Sequence, residues 1–188
     1  MKKISFLLIL LLFSLSGYAE ILEVQKMEGE LRGGISLPVD PYHKSSPAIG
    51  YDMAIEGRYN FYRTGWDCGV MTGITSALHH FKEKRPGNII AQYNQSNLTY
   101  IFAATTDYNF YQGRMINPFL GCAVGVGINK TTNHWIYPSS GTSLLFTPRG
   151  GVEIYHFFRI MAEFNICRKG YNNFALTVGF VVGGRKKK

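Results

Sequence analysis

Two groupings in this sequence set a hydroxyl nucleophile beside a base: His43 with Ser45, and Ser76 with His79 and His80. A serine attacks an acyl or phosphoryl centre only when a neighbouring base takes its proton and a third group orients that base. Spacing supplies no third member for either pair. His43 and Ser45 lie in a Pro-, Ser- and Lys-rich stretch and His79-His80 at a strand end, where exposed polar residues are expected without any chemistry. His79-His80 with His134 would be a metal set, but adjacent residues of an extended strand point to opposite sides. The Gly-rich stretches Gly121 to Gly127 and Gly183-Gly184 alternate with apolar residues and lack the Gly-x-x-x-x-Gly-Lys pattern of a phosphate cradle. Cys68, Cys122 and Cys167 are odd in number and widely spaced, so they are read as small apolar residues. The chain is therefore read with no catalytic residue, cofactor or metal.

A different set of residues carries more information, and it needs the elements first. Ile49 to Phe61 alternates at period two: Ile49, Tyr51, Met53, Ile55, Gly57, Tyr59 and Phe61 on one face, Gly50, Asp52, Ala54, Glu56, Arg58 and Asn60 on the other. That is the signal of a strand with two unlike faces. Phe158 to Ile166 and Phe174 to Val182 repeat it, and Met27 to Leu37, Trp66 to Leu78, Leu98 to Phe110, Phe119 to Ile128 and Leu144 to Tyr155 are compatible. The total is eight strands, an even number as single-chain bacterial membrane barrels require. Connections alternate in length. Pro38 to Ala48, His79 to Asn97, Asn129 to Ser143 and Arg168 to Asn173 form a longer set; Tyr62 to Gly65, Tyr111 to Pro118 and His156-Phe157 form a mostly shorter one. With a periplasmic N-terminus the longer set faces outward.

Lys2 and Lys3, the apolar run Ile4 to Leu15 and the ending Gly17-Tyr18-Ala19 have the layout of a secretory signal peptide, read as residues 1–19 with cleavage before Glu20. The run is shorter than the roughly 20 residues of a spanning helix. Residues 20–184 are then one barrel domain and 185–188 a basic tail. Twenty Lys and Arg against twelve Asp and Glu give a formal charge of +8. In an exported chain this points to anionic lipid or a solvated tail and not to nucleic acid.

Alternation alone does not say which face is outside. An eight-stranded barrel has an interior only wide enough for side chains to fill. The faces bearing Tyr51, Tyr59, Phe61, Tyr100, Phe102, Phe164, Phe174 and Phe180 are too bulky for it, whereas the opposite faces of Gly, Ala, Ser, Thr and a few charges fit. Every Lys after the leader falls in an expected loop, rim or tail, as suits a wall against lipid. Aromatic residues gather beside the short turns, where an interfacial girdle belongs.

Glu30, Arg32, Asp52, Glu56, Arg58, Arg149, Glu153, Arg159 and Glu163 then share one narrow lumen, four arginines against five carboxylates. Unpaired charges there are costly, so a hydrogen-bonded network that plugs the barrel is expected. Arginine suits the task because its planar fork bridges carboxylates. Among the outward loops, Trp135 and Tyr137 are the candidate contact residues for a partner.

The leader, the aliphatic-aromatic faces, Pro148-Arg149-Gly150-Gly151-Val152-Glu153-Ile154 and the run Leu176 to Gly184 resemble the small outer-membrane β-barrel, or porin-like, family. The ending Gly183-Gly184-Arg185-Lys186-Lys187-Lys188 is similar to members from Bacteroides-type bacteria, although many barrels of the family end instead in an aromatic assembly signal. The resemblance implies an all-β, eight-stranded antiparallel up-and-down transmembrane β-barrel in the bacterial outer membrane. Its implied partners are outer-membrane lipids, the barrel assembly machinery and an external or envelope partner. It carries no catalytic residue across. The reading is a non-enzymatic barrel with a sealed polar lumen; a lipid-modifying enzyme and a narrow solute or ion channel are the alternatives.

Overall fold

A computed structural model of the chain describes residues 23–39, 45–61, 64–85, 89–132, 140–183 and 185–186. Eight long strands make one wall: β2 (Met27–Pro38), β4 (Gly50–Asn60), β5 (Trp66–Arg85), β6 (Ile89–Asn109), β7 (Ile116–Thr132), β8 (Gly141–Ile154), β9 (Phe158–Asn165) and β10 (Asn173–Val182). Three short strands accompany them: β1 (Glu23–Val24), β3 (Ser45–Ala48) and β11 (Arg185–Lys186). Each wall strand pairs antiparallel with the next, and β10 returns to β2, which closes the sheet. The eight-stranded up-and-down barrel read from the alternation is the fold.

The pairing register fixes the shape. Starting at Asn60 and stepping across partners, the path runs Asp67, Asp107, Gly121, Arg149, Glu163, Ala175 and Ser36, and returns to β4 at Gly50. One circuit thus displaces the register by ten residues, from position 60 to position 50, so the strands tilt against the barrel axis, by roughly 35–45° in barrels of this kind. β3 continues the line of β4 along β5, but Ile49 is extra: Asp52 faces Thr75 while Ala48 faces Leu78. That β-bulge bends the strand where it leaves the apolar belt.

The sequence reading differs from the structure chiefly in the connection His79 to Asn97. It is no loop, because β5 and β6 stay paired out to Arg85 and Ile89. The apolar-polar alternation fades there for a physical reason. His80, Lys82, Gln92 and Asn94 replace the apolar outer face, while His79, Gln95 and Asn97 keep the inner one polar, so both faces look alike in the sequence. β7 likewise extends to Thr132 and β8 begins at Gly141. At the other end, Arg185 and Lys186 are not simply a solvated tail; they pair with Val24 and Glu23. The β8–β9 turn places Tyr155 and His156 at φ 53° and 61°. This left-handed pair matches the twist of a two-residue hairpin, and the Tyr155 N–H donates to Met115 O at 2.7 Å.

The seventh connection lies at the long-connection end of the barrel and folds over the lumen. Tyr171 is completely buried there, with its hydroxyl 2.5 Å from that of Thr131. Gly170 O accepts from Asn97 Nδ2 at 2.6 Å and lies 3.0 Å from His79 Nε2. Tyr171→Phe removes one buried hydroxyl and leaves that of Thr131 short of a partner. It is expected to cost about 1–3 kcal/mol, read as a lowered urea midpoint of the purified barrel.

Candidate functional site

Because successive side chains of a strand alternate, β4 alone sends Asp52, Glu56 and Arg58 to the axis while Tyr51, Met53, Ile55 and Tyr59 point away from it. The same parity on β2, β6, β8 and β9 brings charges from five strands together. They form a chain of alternating sign: Glu28, Arg58, Glu30, Arg159, Asp107, Arg149, Glu56, Arg32, Glu163.

Arg149 is its centre. Nη1 and Nη2 donate to the two carboxylate oxygens of Glu56, each at 2.6 Å; Nε donates to Asp107 Oδ1 at 2.8 Å and Nη2 to Oδ2 at 2.9 Å. One planar fork therefore holds two carboxylates in a double grip that an ammonium group cannot copy. Arg159 reaches Asp107 at 2.5 Å and Glu30 at 3.3 Å, with its guanidinium 3.5 Å from the centre of the Phe119 ring. Arg32 joins Glu56 at 2.8 Å to Glu163 at 3.0 Å. Arg58 pairs with Glu30 and reaches Glu28 at 3.3 Å. Thr105 adds a hydroxyl to Glu56 at 2.9 Å. Two glycines make room for these groups: a Cβ on Gly179 would strike the Glu30 carboxylate, and one on Gly121 would strike Asp107.

Seven of the nine expected lumen residues lie in this chain. Asp52 sits apart, buried beside Thr75, and Glu153 lies at the β8–β9 turn with its carboxylate 3.5 Å from His156 Nδ1. Sequence reasoning missed Glu28 and Asp107. The parity of β6 would have found Asp107, since Tyr100, Phe102 and Tyr108 face outward and leave the odd positions inside. With Asp67 the buried carboxylates among the described residues number eight against four buried arginines, so the near-cancellation expected from five does not hold there. At least eight of the twelve Asp and Glu residues are thus inside.

The lumen is layered. Along the inner face of β6, from the short-turn end, come Asn109, Asp107, Thr105, Ala103, Ile101, Thr99, Asn97 and Gln95. Ile101 and Ala103 pack with Met71, Ala123 and Leu145 into an apolar cluster on the β5–β8 side of the lumen, where Met71 Sδ also meets Arg32 Nη2 at 3.2 Å, and hydroxyls and amides follow up to Tyr171. Arg149, Glu56 and Asp107 are 2%, 1% and 0% exposed, and Leu145 is 1% exposed. A water column through the barrel would give these side chains accessible surface.

The outer wall is the reverse. Leu31, Ile55, Val70, Phe102, Val124, Ile160, Leu176, Val178 and Phe180 stand exposed, and no charged side chain shares the face between them. On β7 this outer face runs from Pro118 to Ile128 before Lys130, within the span of 9–11 tilted residues that crosses a bilayer. At the short-turn end, aromatic rings pack edge to face: Trp66 on Tyr108 at 5.1 Å, Tyr108 on Phe110 at 5.2 Å, Phe157 on Phe158 at 5.2 Å.

The candidate nucleophiles are placed elsewhere. Ser76 Oγ lies 3.2 Å from Ser96 Oγ. His79 points into the lumen toward Gly170, and His80 lies on the outer face, 2.6 Å from Asn94 Oδ1. His43, His134, Trp135, Tyr137 and the leader 1–19 lie outside the described residues.

No protein-family model matches the chain, and no curated protein matches it in sequence. Solved structures do resemble it. Neisserial surface protein A (NspA) superimposes with a TM-score of 0.57 at 15% identity, over 85% of this chain and 98% of that one. The outer membrane protein Ail of Yersinia pestis, in a phospholipid bilayer nanodisc, gives 0.45 at 17% identity, over 82% and 99%. A crystal structure of Ail with the heparin analogue sucrose octasulfate gives 0.45 at 15%, over 86% and 100%.

Proposed function

We propose that this chain is an integral outer-membrane protein whose lumen is a sealed ionic plug and whose work is done on its outer surfaces, without catalysis. The observation that carries this is the inverted wall: exposed apolar side chains all round, ion pairs within. In lipid a strand's backbone groups find partners only in a closed sheet, which the β10–β2 pairing supplies. The barrel similarity to NspA supports the fold side of this reading. Residues 1–19 would direct export, the assembly machinery would insert the barrel, and the long connections, with Trp135 and Tyr137, would meet external or envelope partners.

Two measurements test it together. The mature protein should float with lipid vesicles and migrate faster on a gel before boiling than after. In a planar bilayer it should show no steady conductance, because the ion-paired side chains that fill the lumen, Arg149, Glu56 and Asp107 among them, are left with almost no accessible surface. A soluble monomer sinks the membrane reading, and stable single-channel steps sink the sealed one. Hydrolysis or acyl transfer on lipid that disappears in Ser76→Ala would replace it with an enzyme.

A further inference from the structure

At the short-turn end the lumen closes on a ring of oxygen donors. Glu28 lies beside Asn60 and faces Glu153, which comes from three strands away. Asn60 is the cross-strand partner of Asp67, and Asn117 that of Glu153. Between them Asn109 Nδ2 donates to Asp67 Oδ2 at 2.7 Å, and Asn117 Nδ2 donates to Asn109 Oδ1 at 3.0 Å. Three carboxylates and three amides, one from each of β2, β4, β5, β6, β7 and β8, thus surround the mouth, all of them buried. The arginines turn away from this ring. Arg159, although the cross-strand partner of Glu153, reaches Asp107 and Glu30, and Arg58 pairs with Glu30 and meets Glu28 at 3.3 Å. Eight buried carboxylates share four arginines among the described residues, and the weight of the negative surplus falls at this end.

Asp67 carries the sharper signal. It stands directly opposite Asp107 on β6, a like-charge pairing that costs a sheet stability. Asp107 is held by Arg149 and Arg159. Asp67 has no ion pair among the described residues: Oδ2 takes the Asn109 amide, and Oδ1, on a side chain 2% exposed, has no hydrogen-bond partner. A buried carboxylate oxygen left so is costly unless a positive group meets it. No three carboxylate, thiolate or imidazole groups of the described residues converge to cage an ion by themselves, so amide oxygens and water must complete a shell. Ca²⁺ accepts that mixture in flexible geometry, whereas Mg²⁺ demands a near-ideal octahedron. We propose that this ring holds one hard divalent cation, Ca²⁺ in preference to Mg²⁺, with Asp67 Oδ1 as a direct ligand and Glu28 and Glu153 facing it. The cation offsets the negative charge that the arginines leave. The site goes beyond the membrane reading and does not depend on it, because the lumen is the same whatever surrounds the wall.

The test uses the full barrel, refolded in a neutral detergent without lipopolysaccharide and stripped of metal by a chelator. CaCl₂ should raise its urea midpoint saturably, with half the shift reached at about 10⁻⁴–10⁻³ M, the range of exported calcium modules. Titration calorimetry should count one Ca²⁺ per barrel. Asp67→Asn should abolish both the shift and the heat while keeping the metal-free midpoint at or above that of wild type, because it relieves the repulsion from Asp107. Glu153→Gln should weaken binding, and Asp52→Asn, a buried carboxylate outside the ring, should leave it intact. A midpoint insensitive to Ca²⁺, an equal shift from MgCl₂ or from KCl at matched ionic strength, or a full Ca²⁺ response in Asp67→Asn overturns the inference.

Discussion

Arg149→Met is expected to destabilise the barrel by about 3–5 kcal/mol, the cost of stripping one partner from a buried ion pair. Arg149 anchors both Glu56 and Asp107 and has no accessible side-chain surface, so neither carboxylate regains water when it goes. Arg149→Lys should recover little of the loss, because an ammonium keeps the charge but not the two double grips. Coupling distinguishes a network from general packing. If Glu56 and Arg149 act as one unit, Glu56→Gln in the Arg149→Met background should cost less than in wild type, with an interaction energy of roughly 0.5–3 kcal/mol. Urea titration into vesicles, scored by heat-dependent gel mobility, gives all four corners of the cycle. An additive cycle, or an Arg149→Met midpoint equal to wild type, would contradict the plug.

The second large effect lies on the opposite face. Val178 stands exposed in the middle of the β10 outer face. In a bilayer, Val178→Arg should cost about 2–4 kcal/mol, whereas the same charge near the rim, as Thr142→Arg on β8, should cost roughly 0–1 kcal/mol. The contrast with depth is the diagnostic, since a water-soluble barrel would accept an arginine equally at both positions. Refolding yields into vesicles for the two variants, compared with yields in detergent alone, measure it. Equal yields would show that no hydrocarbon surrounds the wall.

These two substitutions probe the two faces of the wall, Arg149 on the inner face of β8 and Val178 on the outer face of β10. Among the described residues, the same alternation that buries eight carboxylates and four arginines leaves apolar side chains on the outer wall.

Parity is what the sequence determines by itself. Period two is a local property: each residue's side is fixed by its neighbours in the chain, and Ile49 to Phe61 displays both faces without reference to any other strand. The number of strands, the inward set of Arg and Glu and the outward apolar face are therefore legible in the order of residues. The reading failed where that contrast is lost, along β5 and β6 beyond His79 and Asn97, because above the apolar belt both faces turn polar. It also passed over Asp107 and Glu28, although the parity of β6 and β2 puts both on the inward face. Who meets whom was decided by closure alone. Glu56 and Arg149 are 93 positions apart, and only a tilted sheet joined at β2 and β10 sets them across one lumen. The inward fold of Tyr171 likewise depends on a cavity that no single strand contains.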